Sequence, residues 1–386
     1  MGLRIGASFS TRGECYNVDV IRNAIRGRAR DESMTSHWQD WPPHVLAALR
    51  KGVVIPAHPL ALNVDRKLDA RRQRALTRYY LDAGAGGLAV GVHTTQFAIR
   101  AAGLFESVLE LAMRSTEQWT RGPKIMIAGL VGRTAQAVEE AHVARGLGYH
   151  AGLLSLAELK GASEDELIAH ARTVAREIPL VGFYLQPAVG GLVLPVSFWR
   201  RFAAIENVVA IKVAPFNRYR TLDVVRGVVE ADAAERVTLY TGNDDHIILD
   251  LVSPFTVVAN GRERTVRIKG GLLGHWSVWV KRAVELLERI HAAVAANEAP
   301  AELLALDAQV TDCNAAIFDA ANDFHGVIAG CHEILRRQGL LEGIWCLDPS
   351  ETLGPGQKQE IDRVCAAYPH LNDDAFVRAN LARWLS

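Results

Sequence analysis

The sequence predicts an α/β protein: a (β/α)8 barrel of the TIM type with a C-terminal helical domain. Three observations carry that expectation. Seven short apolar runs rich in Val, Ile and Leu begin roughly 25 to 40 residues apart, the length of one strand plus one helix. The runs are continuously apolar rather than alternating, as strands covered on both faces require. After Trp279 this rhythm gives way to a helical pattern. At 386 residues, 49% hydrophobic and 22% charged, the chain has room for a barrel of about 250 residues and an appendage.

Residues 1–46 stand apart as an N-terminal extension. The stretch from Arg22 to Glu32 is charged, and Trp38-Gln-Asp-Trp41-Pro42-Pro43 is a turn-rich break. Either Met34 is the start codon or this segment is an arm packed on the barrel. Residues 47–290 then supply the barrel. Strands are expected at Val53–Pro56, Leu88–Gly91, Ile125–Ala128, Gly152–Ser155, Leu180–Tyr184, Val208–Lys212 and Val237–Tyr240, with the eighth at Val266–Gly271. Between them, Glu139–Leu147, Glu164–Glu177 and Pro195–Ile205 carry apolar residues at helical spacing. Ser163 and Glu166 form a capping-box pair. An open doubly wound sheet is the structural alternative, but no G-x-G-x-x-G follows any of these strands. Residues 291–386 form the helical domain. Helical patterns run over Val280–Ala295, Ala301–Ala321 and Val327–Gln338, and a last pair follows from Gln357. Their apolar faces must cover the barrel or another subunit.

Composition excludes several function classes. Formal net charge is zero, and the densest basic stretch, Arg71, Arg72, Arg74 and Arg78, reads as a solvated helix face. No basic footprint for nucleic acid is present. No apolar run approaches the 18 or so residues of a membrane span, and Met1–Ser10 lacks a signal-peptide layout. The five cysteines, without a C-x-x-C pair, read as reduced thiols of a cytoplasmic protein.

Lys212 is the centre of the chemistry. It closes the apolar run Val208-Val-Ala-Ile. Burial there disfavours the ammonium, and a neutral amine attacks carbonyls. The end of a barrel strand is also where active sites lie. The alternative is a strand-end lysine with its head in solvent. Tyr184, at the end of the preceding strand, is placed to pass protons to a carbinolamine, or else simply occupies a barrel rim. Thr94 and Thr95 follow the second strand and offer hydroxyls and amides to a carboxylate; a threonine-rich turn is the alternative. Gly242-Asn243-Asp244-Asp245 follows the seventh strand. It orders a loop, binds a hydroxylated substrate or holds a metal. His58, His93, His246 and His275 fall near strand ends and offer acid–base or ligand groups at one rim.

Together these positions resemble the dihydrodipicolinate synthase / N-acetylneuraminate lyase family of class I aldolases. The family pattern has a Thr pair after strand two, a Tyr-x-x-Pro at strand five and a Gly-Ile-Lys 28 residues beyond the tyrosine. Thr94-Thr95, Tyr184-Leu-Gln-Pro187 and Ala210-Ile-Lys212 stand in those places, and Thr241-Gly-Asn-Asp244 looks like the family's Ser-Gly-Asp-Asp. The resemblance runs from about residue 47 to the end. It implies Lys212 as Schiff-base lysine, Tyr184 as proton relay, and Thr94 and Thr95 as carboxylate binders. Gly242, Asn243, His58 and His93 complete the expected substrate site. A pyruvate-like 2-keto acid is implied, with no metal or organic cofactor, in a homo-oligomer, tetramer or dimer. Three places depart from the pattern. Gln96-Phe97 replaces the family's Gly-Glu, Val189 stands where dihydrodipicolinate synthases carry an arginine, and Ser155–Glu158 lacks their tyrosine. They point to a second substrate without a carboxylate, or to a retro-aldol or dehydration. The reading is thus a lyase on a 2-keto acid. Its rivals are a metal-dependent barrel hydrolase or isomerase using His58, His93 or Asp244, and a non-catalytic keto-acid-binding barrel.

Overall fold

The computed structural model describes residues 36–122, 124–259 and 261–386. The charged stretch Arg22 to Glu32, Met34 and Cys15 lie outside the described residues. Each apolar run expected as a strand is one, with ends shifted by a few residues. The strands are β1 (Val54–Pro56), β2 (Gly87–Val90), β3 (Ile125–Leu130), β4 (Ala151–Leu154), β5 (Leu180–Leu185), β6 (Val208–Ala214) and β7 (Thr238–Thr241). The eighth barrel strand comes after a hairpin, β8 (Phe255–Ala259) and β9 (Arg262–Val266), and is β10 (Ile268–Leu273), two residues later than expected. The hairpin was not anticipated. Its sequence signal is Asn260-Gly261 between Thr256-Val257-Val258 and Thr265-Val266.

The barrel strands pair in parallel in the order β1-β10-β7-β6-β5-β4-β3-β2, and an Ala57–Ala89 bridge joins β1 to β2 and closes the ring. Helices α1 (Pro43–Lys51), α2 (Ala70–Ala83), α3 (Phe105–Trp119), α4 (Thr134–Gly146), α5 (Glu164–Ala175), α6 (Val196–Ala203), α7 (Arg218–Glu230) and α8 (Ile247–Val252) precede or link the strands. Five more follow: α9 (Val280–Ala295), α10 (Ala301–Ile317), α11 (Val327–Arg337), α12 (Gln357–Ala367) and α13 (Asp374–Trp384). At the start of α5 the Ser163 and Glu166 capping box forms as expected.

The strands separate two apolar clusters. An outer one lies under the helices, and an inner one fills the barrel with Ile127, Leu153, Val181 and Val209. The residues just before the barrel close its floor. Pro43 opens α1 at a position where proline costs no hydrogen bond, and Trp41, Val45 and Leu49 enter the inner cluster. The Tyr240 hydroxyl donates to the Leu49 carbonyl at 2.9 Å. Asn207 accepts from the Trp38 N–H and donates to the Ser36 and Ala175 carbonyls.

The arginines of α2 are not a free solvated face. Arg71 donates to the Leu385 carbonyl, Arg72 to Gly339 and Arg78 to Trp384, carbonyls at or just beyond the ends of α11 and α13. Cations meet the negative helix ends there, and the C-terminal helices are tied to the barrel. Cys313, Cys331 and Cys346 are buried free thiols, and Cys365 is free and half-buried. Among the described residues no helix is long and apolar enough to cross a membrane.

Candidate active site

The register of β5 on β6 decides which side chains meet. Leu180 pairs with Val208, but the next pair is Val181 with Ala210, a one-residue bulge in β6. Beyond it Phe183 pairs with Lys212 and Tyr184 with Val213. Neighbouring residues paired across a sheet share a face, so Lys212 and Phe183 point into the barrel together while Tyr184 and Val213 point out. Lys212 is 7% exposed, and its Nζ lies 4.5 Å from the centroid of the Phe183 ring. Gly242 gives the lysine room: a Cβ there would sit 2.6 Å from Lys212 Cε. Burial pushes the Lys212 amine below the ordinary lysine range, opposed by the nearby carboxylate of Asp244.

Around this amine the strand ends form a cleft open to solvent. Lys212, Gly242 and Asp244 line it from β6 and the loop after β7. His93 and Thr94 line it from the end of β2, four strands away in the ring of eight and therefore across the barrel axis from β6. Asp244 is 4% exposed and accepts the His275 backbone N–H at 2.8 Å. Burial raises its carboxyl well above the ordinary aspartate range, against the pull of that hydrogen bond and of Lys212. Burial, and then the charge of Lys212, lower His93 to about 4, so its imidazole is neutral at neutral pH.

Several expected site residues stand elsewhere. The Tyr184 hydroxyl donates to the Leu194 carbonyl and accepts the Leu194 N–H, at 3.3 and 3.2 Å, and its ring lies 5.1 Å from Trp199 of α6. It belongs to the outer cluster and does not line the cleft, so the relay expected of it is not supported by this geometry. His58 likewise turns to α2. Its Nε2 meets the Thr77 hydroxyl and its Nδ1 the Pro59 carbonyl, both at 2.9 Å. Thr95 spends its hydroxyl on the backbone, donating to the His58 carbonyl after β1 and accepting the Gly91 and Val92 N–H groups of its own loop. Thr94 faces the cleft, but its hydroxyl donates to the Ala57 carbonyl at 2.7 Å. Asn243 braces the loops. It accepts the Phe216 N–H and donates to Asp250 and Thr221. Of the four rim histidines only His93 lines the cleft; His246 approaches Asp307, and His275 contributes its backbone. His58 and His93 thus diverge, and among the described residues no three His, Cys, Asp or Glu side chains gather as metal ligands.

Apart from Val189, the outer wall of the cleft was not legible in the sequence. Phe183, Leu185 and Val189 come from β5 and the turn after it, Phe216 from the loop after β6, and Phe318, Phe324 and Val327 from the C-terminal region. Phe216 and Phe324 adopt φ of 49° and 66°, left-handed values that bulky side chains rarely accept. Their rings meet edge to face, 5.7 Å apart. Two buried polar residues hold the crossing segment. Asp319 accepts the Gly326 N–H, and Gln357 donates to the Ile317 and Gly326 carbonyls. Gly274 lets the segment close in, since a Cβ there would lie 2.7 Å from the Phe318 ring. No sequence pattern marks a helix-linking phenylalanine as a cleft wall.

A family model described as the dihydrodipicolinate synthetase family matches residues 51–259. The curated proteins contain no match. Solved structures share the fold. A dihydrodipicolinate synthase from Acinetobacter baumannii, complexed with pyruvate, is 18% identical with a TM-score of 0.67, covering 82% of this chain and 98% of that one. YagE, a prophage protein of the dihydrodipicolinic acid synthase family from E. coli K12, also in complex with pyruvate, is 18% identical with a TM-score of 0.67, covering 84% and 99%. An N-acetylneuraminate lyase from Fusobacterium nucleatum is 18% identical with a TM-score of 0.65, covering 83% and 99%. With more than half its length matched by the family model, on a barrel whose sixth strand carries a buried lysine into the mouth, this chain belongs to the dihydrodipicolinate synthetase family.

Proposed function

We propose that the protein is a class I aldolase-type lyase in which Lys212 forms a Schiff base with pyruvate or a related 2-keto acid. One observation carries the reading: the Lys212 amine stands almost dry in the barrel mouth, against the Phe183 ring, in a cleft open to solvent. Desolvation favours the neutral, nucleophilic amine, and the protonated imine it forms is itself the electron sink, so the reaction needs no metal or organic cofactor. The proton carrier is Asp244 rather than Tyr184. A general acid–base works best with its pKa near the operating pH. Burial lifts Asp244 toward that range, whereas His93 stays neutral down to about 4. The His93 imidazole N–H then serves as a neutral donor to the keto-acid carboxylate. The enzyme acts in the cytoplasm as a homo-oligomer.

Borohydride reduction in the presence of pyruvate tests this. The expected result is a covalent adduct that peptide mapping places on Lys212 and that is absent from Lys212→Arg. Binding of keto acids with no reducible adduct on any lysine would leave a ligand-binding barrel instead.

A further inference from the structure

We infer that the second reactant in this cleft is apolar: the enzyme cleaves a 4-hydroxy-2-oxo acid into pyruvate and an aldehyde carrying an aromatic or alkyl group, or joins the two. The inference rests on the Schiff-base reading of Lys212 and adds the partner. The polar side chains of the cleft are few. His93, Thr94 and Asp244 come from the ends of β2 and β7, Gln186 lies just past β5, and Lys212 is the one cation among the lining residues. The large side chains that complete the lining, from β5, β6 and the C-terminal region, are apolar: Phe183, Leu185, Val189, Phe216, Phe324 and Val327. A carboxylated aldehyde would bring a second negative charge against these side chains with no arginine or second lysine to meet it, and a polyhydroxylated one would gain no hydrogen-bond partner from them. An aromatic ring loses nothing there.

A second observation is independent of composition. Phe216 and Phe324 are held in left-handed backbone conformations, and buried side chains fix them: Asn243 on the Phe216 N–H, Asp319 and Gln357 around residues 317–326. Strain that surrounding hydrogen bonds maintain marks groups whose position matters. What it positions here is an edge-to-face aromatic pair in the lining of the cleft that holds the reacting amine.

The reaction balances without any further reagent. Lys212 Nζ condenses with C2 of the substrate, releasing water and giving a protonated imine. Asp244 takes the C4 hydroxyl proton, the C3–C4 bond breaks, its electron pair passes into the imine to give an enamine, and the aldehyde leaves. C3 takes that proton back from Asp244, restoring the carboxylate, and water hydrolyses the imine to release pyruvate and the free lysine.

The test uses the full chain with pyruvate and four aldehydes, reading condensation products by mass spectrometry. Benzaldehyde and 3-methylbutanal are the apolar pair; glyceraldehyde and succinic semialdehyde are the polar pair. The expected kcat/KM for the apolar pair exceeds that for the polar pair by at least about 100-fold. Equal or better reaction of a polar aldehyde overturns the inference, as does a lack of condensation with either apolar aldehyde. Val189→Arg places a charge in the wall, and its effect is expected on the aldehyde alone: kcat/KM for benzaldehyde falls at least tenfold. An unchanged benzaldehyde rate in that variant shows that the aldehyde sits elsewhere and also overturns the proposal. Borohydride trapping of pyruvate with no aldehyde present separates the two levels. Trapping without apolar preference refutes the partner alone, and no trapping refutes the Schiff base and the partner with it.

Discussion

The floor and the mouth of this barrel are built on the same eight strands and are finished in opposite ways. At the floor, Trp41, Val45 and Leu49 fill the space between the strands, the Tyr240 hydroxyl is paired with a backbone carbonyl, and Asn207 uses both ends of its amide. At the mouth, a lysine and an aspartate are buried together, and two phenylalanines sit in left-handed backbone. The floor is organised for stability. The mouth holds features that cost stability, and such features persist where they serve chemistry.

The sharpest way to break the comparison is at Lys212. Lys212→Arg keeps the positive charge and removes the titratable amine, so kcat/KM is expected to fall by roughly 10³-fold or more, with the trapped adduct gone. Lys212→Met is expected to lose activity equally while leaving thermal stability unchanged or raised, because a buried amine is replaced by an apolar chain of similar length. A Met variant that melts well below the parent protein would mean that Lys212 is part of the framework.

Asp244 comes next. Asp244→Asn removes both the proposed proton carrier and the charge that raises the pKa of Lys212. Turnover should drop by about 10²- to 10⁴-fold, the usual share of general acid–base catalysis. The pH dependence has a definite sign. Adduct formation needs the neutral amine, so it declines as pH falls through the Lys212 pKa. Without the Asp244 carboxylate that pKa moves further down, and the acid limb of adduct formation shifts to lower pH. A shift toward higher pH, measured by trapping rate against pH, would contradict the placement of this carboxylate beside the amine.

At the floor the expected effects are on folding. Leu49→Ala removes a side chain that is 1% exposed from the inner cluster and should cost about 2–5 kcal/mol in denaturant unfolding. Its kcat should stay within about twofold of the parent when measured well below the melting temperature. A large kcat loss in a folded Leu49→Ala protein would show that floor and mouth are coupled through the barrel interior.

The sequence made the architecture legible because a parallel barrel repeats one physical requirement eight times: an apolar run covered on both faces. The eighth strand was displaced by two residues because the β8–β9 hairpin intervenes, its second strand exposed and carrying charges at Arg262, Glu263 and Arg264. Lys212 was legible because an ionisable residue stands out in such a run. Tyr184 was misplaced for the same reason that its strand was easy to find. With both faces buried, β5 has no polar alternation to say which residues point inward. A bulge at Val209 and Ala210, invisible in composition, then sets the pairing. Spacing of 28 residues counts along the chain; it does not count faces. His58 and Thr95 illustrate a related limit, since a polar residue at a strand end has two directions to turn and its partners are tens of residues away or in the loop itself.

The smallest expected effect therefore decides the most about register. Tyr184→Phe removes a hydroxyl whose contacts, at 3.2 and 3.3 Å to the Leu194 backbone, are long. Losing them should cost about 1 kcal/mol, because the Leu194 groups are left without that partner while the ring keeps its packing on Trp199. Since the phenol faces the helix layer, kcat/KM and the rate of pyruvate trapping should stay within about threefold of the parent protein. The partner variant Phe183→Tyr places a hydroxyl on the inward position instead, facing the lysine, and should alter the pH dependence of trapping where Tyr184→Phe does not. A loss of 100-fold or more in Tyr184→Phe, at unchanged stability, would mean that in the working enzyme β5 presents its other face to the cleft. The tyrosine, not Asp244, would then be the group that moves the proton.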